Sequence, residues 1–198
     1  TCAPFKNAVE EASRLCGLEE EFIKDTVNNE KVFFHRSNRN GKDVISTNIS
    51  HKRDMKVIDD LKRLQDNFRK IKHKKIFNER NLSLPQGMKL SDEQLSAVNL
   101  SINNPVSVIT GGPGSGKSTL IIGIVNALED LNRKILLCAP TGRAAKRLGE
   151  YKELHKHKPI TIHMYLALLN TKKPPEFDYI IIDESSMIDI NLLRVLLH

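Results

Sequence analysis

The sequence lacks any apolar run that approaches the roughly 20 residues a helix needs to cross a bilayer. It also lacks the basic and apolar segments of a secretory signal, so we expect no membrane partner. Cysteine is scarce: Cys2, Cys16 and Cys138 are odd in number, and none belongs to a C-x-x-C pair. This pattern argues against a disulfide framework and indicates reduced thiols in a cytoplasmic protein.

Positive charge is concentrated in one part of the chain. The formal net charge is +7, and residues 51–80 hold eleven Lys and Arg residues against five acids. A basic stripe suits a polyanionic partner, but a solvated helix face explains it equally well. Apolar residues recur there every three or four positions, which predicts one long amphipathic helix over 51–77. We therefore treat 51–80 as a basic helical segment.

Residues 1–50 have the pattern of a small α+β unit. Helices are predicted over 4–15 and 19–28, and strands over 31–36 and 43–47 flank the turn signal Asn40-Gly41. Two helices followed by a hairpin make a winged-helix-like accessory domain, which can bind nucleic acid or protein. Residues 81–90, which contain proline and glycine, predict a linker before a larger domain over 91–198.

A glycine-rich loop at 111–119 carries the most chemical information. Its sequence, GGPGSGKST, fits the pattern G-x-x-x-x-G-K-[ST]. The apolar residues 106–110 before it predict a buried strand, and the apolar residues after it predict a helix. Glycines let successive N–H groups point at an anion, and the helix N-terminus adds a partial positive charge. We expect Lys117 to reach the β- and γ-phosphates and the Ser118 hydroxyl to ligate Mg²⁺.

Three more features complete the predicted site. Ser91 and Gln94 form a capping box that opens a helix through about 102, so Gln94 already has a structural role. Residues 134–139 predict a second buried strand, followed by a helix over 144–149 and another that begins within 161–166. A third buried strand, Tyr179–Ile182, leads into Asp183 and Glu184, with a helix over 187–197 after them.

The two acids have distinct predicted roles beside a phosphate loop. In an open parallel sheet, the loops after the strands meet at one edge. There Asp183 would hold Mg²⁺ through its water shell, and Glu184 would accept the proton of an attacking water. Acids that favour the first turn of a helix are the simpler alternative. The fold class is therefore α/β: a parallel sheet with helices on both faces, typical of a P-loop nucleotide triphosphatase.

Four segments in order resemble motifs I, Ia, Ib and II of superfamily 1 helicases of the RecD-like group. They are the loop at 111–118, APTGRAA at 139–145, TIH at 161–163 and DESSM at 183–187. The likeness covers 91–198 well, while the front part resembles the accessory region of stand-alone relatives more weakly. Pif-type helicases share the last pattern and remain an alternative.

The resemblance implies a RecA-like lobe of a 5′-to-3′ DNA helicase that couples ATP hydrolysis to movement on single-stranded DNA in recombination or repair. The implied cofactors are ATP and Mg²⁺. The implied partners are single-stranded DNA, a duplex junction and, in some relatives, the subunits of a nuclease complex. Gln94 would contact adenine, and the implied DNA contacts are Thr141, Arg143 and His163. The residues implied to hold the phosphates are Gly112, Pro113, Gly114, Ser115, Gly116, Lys117, Ser118 and Thr119.

The likeness stops soon after motif II. The sequence opens without methionine and ends in a helix-like run, so we expect a piece of a longer protein. Motif III, the second motor lobe and the arginine that stabilises transferred charge are not in it. We therefore expect residues 1–198 alone to bind nucleotide weakly and to unwind nothing. A short DNA-binding or regulatory module with a vestigial nucleotide site, and a phosphate-loop ATPase unrelated to DNA, remain the other hypotheses.

Overall fold

A computed structural model describes residues 3–29, 34–39, 42–69, 76–78, 82–85 and 87–197. The chain divides into two compact units, Thr1–Asp60 and Leu61–His198. In the part described, no helix has the length and apolar character that a membrane span requires.

The first unit packs two helices on a small antiparallel sheet. Strands β1 (Ala3–Pro4), β2 (Phe34–Arg39) and β3 (Lys42–Thr47) are ordered β1-β3-β2. Helices α1 (Phe5–Cys16) and α2 (Glu20–Asn29) start one residue later than predicted, and β1 was not predicted. Gly17 ends α1 with φ 67°, a left-handed conformation in which glycine is favoured. The core of this unit contains Phe5, Val9, Ile23 and Ile45. The predicted turn at Asn40-Gly41 lies outside the described residues, and the winged-helix assignment remains a prediction.

The long helix begins earlier than its periodicity suggested and does not include the predicted last residues. Helix α3 spans Asn48–Arg69, and the unit boundary falls within it. Residues 70–75 are outside the described part, but 76–78 are not helical, so the predicted end at 77 is wrong. Phe77 exchanges two hydrogen bonds with the Asn99 side chain, and its own side chain is 1% exposed. Anchoring to a distant side chain replaces helical hydrogen bonds at this point.

The second unit contains a parallel sheet of β4 (Ile135–Ala139), β5 (Ile160–Thr161) and β6 (Tyr179–Ile182), ordered β5-β4-β6. The strands at 134–139 and 179–182 were predicted, and β5 was missed because it has only two residues. Cys138 lies opposite both Ile160 and Ile182, so the carboxyl ends of the three strands are level. Loops that follow these strands therefore share one edge of the sheet.

Helices cover both faces of this sheet, as predicted. Ile135 and Leu137 pack in a core with α4 (Asp92–Asn103) and α5 (Lys117–Asp130). Leu136 and Cys138 face the other way and pack with α7 (Ile162–Leu169) and α8 (Ile190–Leu197). The alternation follows from the two-residue period of a strand. Helix α6 (Gly142–Gly149) follows β4, and two short 3₁₀ turns, His155–His157 and Ser185–Met187, complete the unit.

The predicted linker contributes to the second core. Leu82 and Leu90 are 5% and 6% exposed and belong to the cluster that includes Phe77. The packing accordingly divides the chain between residues 60 and 61, whereas the composition pointed to 81–90. Proline and glycine in this segment mark local turns between buried leucines.

The strand predicted before the phosphate loop is absent. Residues 106–110 have no regular structure, and Val106, Val108 and Ile109 are 44%, 77% and 37% exposed. No described strand pairs with this segment, and β6 pairs only with β4 among the described strands. An apolar run needs a neighbouring strand to satisfy its backbone groups. For the same reason β6 is only partly buried, with Ile180 39% exposed, although the sequence predicted a buried strand.

Candidate nucleotide site

Two residues of the glycine-rich loop have backbone conformations that favour glycine. Gly114 and Gly116 have φ values of 74° and 77°, where an L side chain is strained. A Cβ on Gly116 would also lie 2.5 Å from Nε2 of Gln94. Helix α5 begins at Lys117, directly after this turn. The loop therefore ends at a helix N-terminus, the arrangement that suits a phosphate group.

Lys117 lies along the loop. Its ammonium group donates hydrogen bonds of 2.8 Å to the carbonyl oxygens of Gly111 and Gly112. These bonds hold the positive charge beside the glycine backbone at the start of α5. A flexible side chain with one mobile charge can move from these carbonyls to a phosphate oxygen.

Gln94 connects the loop to the start of α4. Its side-chain oxygen accepts from the Ser91 backbone N–H at 3.0 Å, and the Ser91 hydroxyl accepts from the Gln94 N–H, which completes the predicted capping box. The Gln94 amide nitrogen also donates to the Gly116 carbonyl at 3.4 Å. One side chain thus caps a helix and contacts the phosphate loop.

Asp183 and Glu184 follow β6 at the edge where the strands end. The Asp183 N–H donates to the Cys138 carbonyl at 3.0 Å, which continues the ladder one residue past the strand. Glu184 has φ 54° and ψ 36°, a left-handed conformation for a residue with a side chain. Its N–H donates to the Asp183 carboxylate at 2.9 Å. The strand therefore turns sharply here, and the two carboxylates follow one another at the turn.

Arg147 contacts both acids, which the sequence did not predict. Its guanidinium nitrogen Nη2 donates to Glu184 at 2.8 Å and to Asp183 at 3.3 Å. The bond to Asp183 and then the bond to Glu184 raise the pKa of this arginine. No local pattern in the sequence could have suggested the contact, because its partners are more than thirty residues away in the chain.

Tyr151 contacts the phosphate loop and was also missed. Its hydroxyl donates to the Ser118 hydroxyl oxygen at 2.9 Å. Arg147 lies in α6 and Tyr151 lies two residues after its end, so one short stretch of chain contacts both Ser118 and the acid pair. The phosphate loop and the end of β6 are therefore joined through the same stretch of chain.

The side chains of the phosphate loop and of the acid pair are of the types that suit a magnesium nucleotide. Carboxylate and hydroxyl oxygens are ligands that Mg²⁺ prefers, and glycine N–H groups with a lysine suit the phosphates. Among the described side chains, no group of three or more His, Cys, Asp and Glu residues could hold a metal by itself. Magnesium does not require one, because it is held by one or two carboxylates together with phosphate oxygens.

The predicted DNA contacts follow neighbouring strands. Thr141 comes after β4 and is the N-cap of α6, where its hydroxyl accepts from the Ala144 N–H at 3.2 Å. Arg143 is exposed in the first turn of α6, and His163 is exposed in the first turn of α7, after β5. These residues lie on the same edge of the sheet as Asp183. Their contact with DNA remains a prediction.

A model of the AAA domain family matches residues 94–198, just over half of the chain. The chain belongs to this family. The matched AAA domain begins at Gln94 and contains the loop, α6 and the acid pair. It therefore includes the phosphate-loop and acid-pair side chains described above.

The AAA domain is also similar to RecD-type helicases. The chain is 38% identical over 114 residues to the ATP-dependent RecD2 DNA helicase of Deinococcus radiodurans, covering 54% of this chain and 16% of that protein. It is 32% identical over 143 residues to the RecBCD enzyme subunit RecD of Haemophilus influenzae, covering 58% and 22%. The corresponding subunit of Buchnera aphidicola is 36% identical over 135 residues, covering 55% and 22%. The RecD-like assignment is thus confirmed, and the matched segment spans about a fifth of these relatives.

Proposed function

We propose that the intact protein is an ATP-dependent DNA helicase of the RecD type. The observation that carries this proposal is the junction of the phosphate loop and the acid pair, since Tyr151 bonds Ser118 while Arg147 bonds Asp183 and Glu184. Ser118 and Asp183 are 65 residues apart in the chain. Both nevertheless contact side chains from one short stretch, formed by α6 and the residues just after it. That arrangement suits a nucleotide whose phosphates lie between them.

Each side chain has one proposed task. Lys117 binds the β- and γ-phosphates, and the backbone from Gly112 to Thr119 surrounds them. Ser118 and Asp183 would hold Mg²⁺, which would neutralise charge on the phosphate oxygens. Glu184 accepts the proton of the attacking water. Gln94 contacts the adenine while its cap on α4 fixes its position.

The proposed track for single-stranded DNA runs past Thr141, Arg143 and His163. Hydroxyl and guanidinium groups suit phosphate oxygens. The 5′-to-3′ direction of movement rests on the resemblance to the family alone. Because one relative is a RecD2 DNA helicase and others are RecBCD enzyme subunits, we propose that the protein acts at duplex junctions, alone or with nuclease-complex subunits, in the cytoplasm. Residues 1–198 alone are proposed not to unwind DNA.

A hydrolysis and unwinding assay on the intact protein tests this proposal. We expect single-stranded DNA to stimulate ATP hydrolysis, and a duplex with a 5′ tail to be unwound in preference to one with a 3′ tail. Hydrolysis that ignores DNA would favour an ATPase unrelated to DNA. Preference for the 3′ tail would contradict the proposed direction, and nucleotide binding without turnover would favour the vestigial-site alternative.

A further inference from the structure

Arg147 satisfies the two carboxylates on which the proposed chemistry depends. Its bonds of 2.8 Å and 3.3 Å link one guanidinium nitrogen to both Glu184 and Asp183. Arginine remains charged at any physiological pH. The acid pair therefore already has a bound cation, supplied by the chain itself.

The backbone beside Arg147 is held in place by the packing of its neighbours. Leu148, the next residue of α6, is 1% exposed and belongs to the main core of the second unit. Tyr151, four residues after Arg147, is partly buried against the same core and bonds Ser118. This part of the chain is thus anchored beside Ser118 and Asp183, the two proposed magnesium ligands. The Arg147 side chain extends from this anchored backbone to the acids.

We propose that Arg147 is a positioning residue that competes with Mg²⁺ for the carboxylate of Asp183 while its second bond holds Glu184. The inference rests on the proposed nucleotide site. A guanidinium and a divalent cation repel one another, so binding of either one at these carboxylates weakens binding of the other. Magnesium nucleotide therefore binds best after Arg147 has left the acids. The apparent affinity is the intrinsic affinity multiplied by the fraction of molecules in which the acids are free.

The solvent exposure of Arg147 and the two acids determines how strongly the arginine should compete with magnesium. The Arg147 side chain is 54% exposed, while Asp183 and Glu184 are 14% and 40% exposed. Ion pairs in such positions are weak, so the competition should change affinity by about two- to fivefold. This is enough to measure and leaves magnesium able to displace the arginine.

Equilibrium binding to the variant Arg147→Gln tests the proposal. Glutamine keeps part of the aliphatic stem and removes the charge. The probe is a non-hydrolysable ATP analogue, measured by calorimetry with the intact protein in excess magnesium and again in EDTA. We expect binding in magnesium to tighten about two- to fivefold and binding in EDTA to remain unchanged. Lys146→Gln is the matched control, because Lys146 is the neighbouring exposed cation on α6. Its affinity should not change in either condition.

Other outcomes would overturn the inference. Weaker magnesium-dependent binding by Arg147→Gln would mean that Arg147 contacts the nucleotide. Equal affinity of variant and wild type would mean that the ion pair does not compete with the metal. If Arg147→Gln loses its fold, Arg147→Lys provides the test, since lysine lacks the planar fork of arginine and should tighten binding by a smaller factor.

The failure of the proposed function has a different signature. Lys117→Ala, which lacks the proposed phosphate-binding ammonium group, serves as the non-binding control. If wild type in magnesium binds the analogue no better than this control, the nucleotide site and this inference are both overturned. Magnesium-dependent binding by the wild type with no response to Arg147→Gln would overturn only the competition.

Discussion

Glu184 occupies an unusual backbone conformation at the end of β6. Its left-handed φ of 54° costs on the order of 1–3 kcal/mol for a residue with a side chain. The N–H bond to Asp183 and the bond to Arg147 help to hold it there. Strained residues concentrate at functional sites, because the surrounding structure must be selected to maintain them. This geometry supports the role of proton acceptor proposed for Glu184.

The buried thiol of Cys138 should make the free energy of unfolding of the second unit depend on pH. Burial raises the pKa of this thiol from 9.0 to about 12, because β4 is covered on both faces. Above pH 9 the unfolded chain loses this proton while the folded chain keeps it, so stability falls as pH rises. We expect wild type to lose about 1 kcal/mol more than Cys138→Ala between pH 8 and 10, measured by urea unfolding. Equal losses would show that Cys138 titrates normally.

Among individual residues, the sequence could point only to those that belong to a local motif. Lys117, Ser118 and the acid pair could be proposed from the sequence because the motif and the end of β6 are read within a few neighbouring residues, and their roles remain predictions. Arg147 was missed because its partners are more than thirty residues away in the chain. A surface arginine on a helix carries no local sign of such a contact. Long-range ion pairs of this kind depend on the fold and cannot be read from spacing alone.

Among the elements, α4, α5 and β4 match their predicted types because their signals are local. The capping box at Ser91, the loop before Lys117 and the run of apolar residues in β4 each lie within one segment. The strand at 106–110 failed because a strand needs a partner, and its partner is not specified by its own residues. The end of α3 was overestimated because Phe77 continues the helical period, yet its backbone bonds to the Asn99 side chain instead.

The capping box of α4 gives a prediction that separates structure from ligand binding. Ser91→Ala removes the hydroxyl that accepts from Gln94, which should destabilise the protein by about 1 kcal/mol. The Gln94 side chain keeps its bond to the Ser91 backbone, so nucleotide affinity should remain near that of wild type. Gln94→Ala should lower both stability and affinity. Urea unfolding and nucleotide titration measure the two effects.

The outcome of that comparison decides what Gln94 does. An affinity loss in Ser91→Ala as large as that in Gln94→Ala would mean that Gln94 acts only through the start of α4. Its bond to the Gly116 carbonyl would then be a consequence of helix packing.

For the whole molecule, the basic segment 51–80 predicts salt-dependent DNA binding. Lys70, Lys72, Lys74 and Lys75 lie outside the described residues, so the prediction rests on the sequence. Replacing all four with glutamine should weaken DNA binding. It should also reduce the slope of log affinity against log salt by about 0.7 for each phosphate of a single strand that the variant no longer neutralises. Filter binding between about 50 and 200 mM salt measures that slope, a range in which charge neutralisation of phosphates dominates. An unchanged slope would identify the segment as a solvated surface.

The central claim for the molecule is that two distant motifs form one hydrolytic nucleotide site. The variant Glu184→Gln in the intact protein tests it most directly, with ATP affinity and the rate of hydrolysis measured on the same preparation. We predict an affinity near that of wild type and a turnover reduced by a factor on the order of 10² or more, because only the proton acceptor is lost. Turnover close to that of wild type, or an equal loss of binding and turnover, would contradict the account.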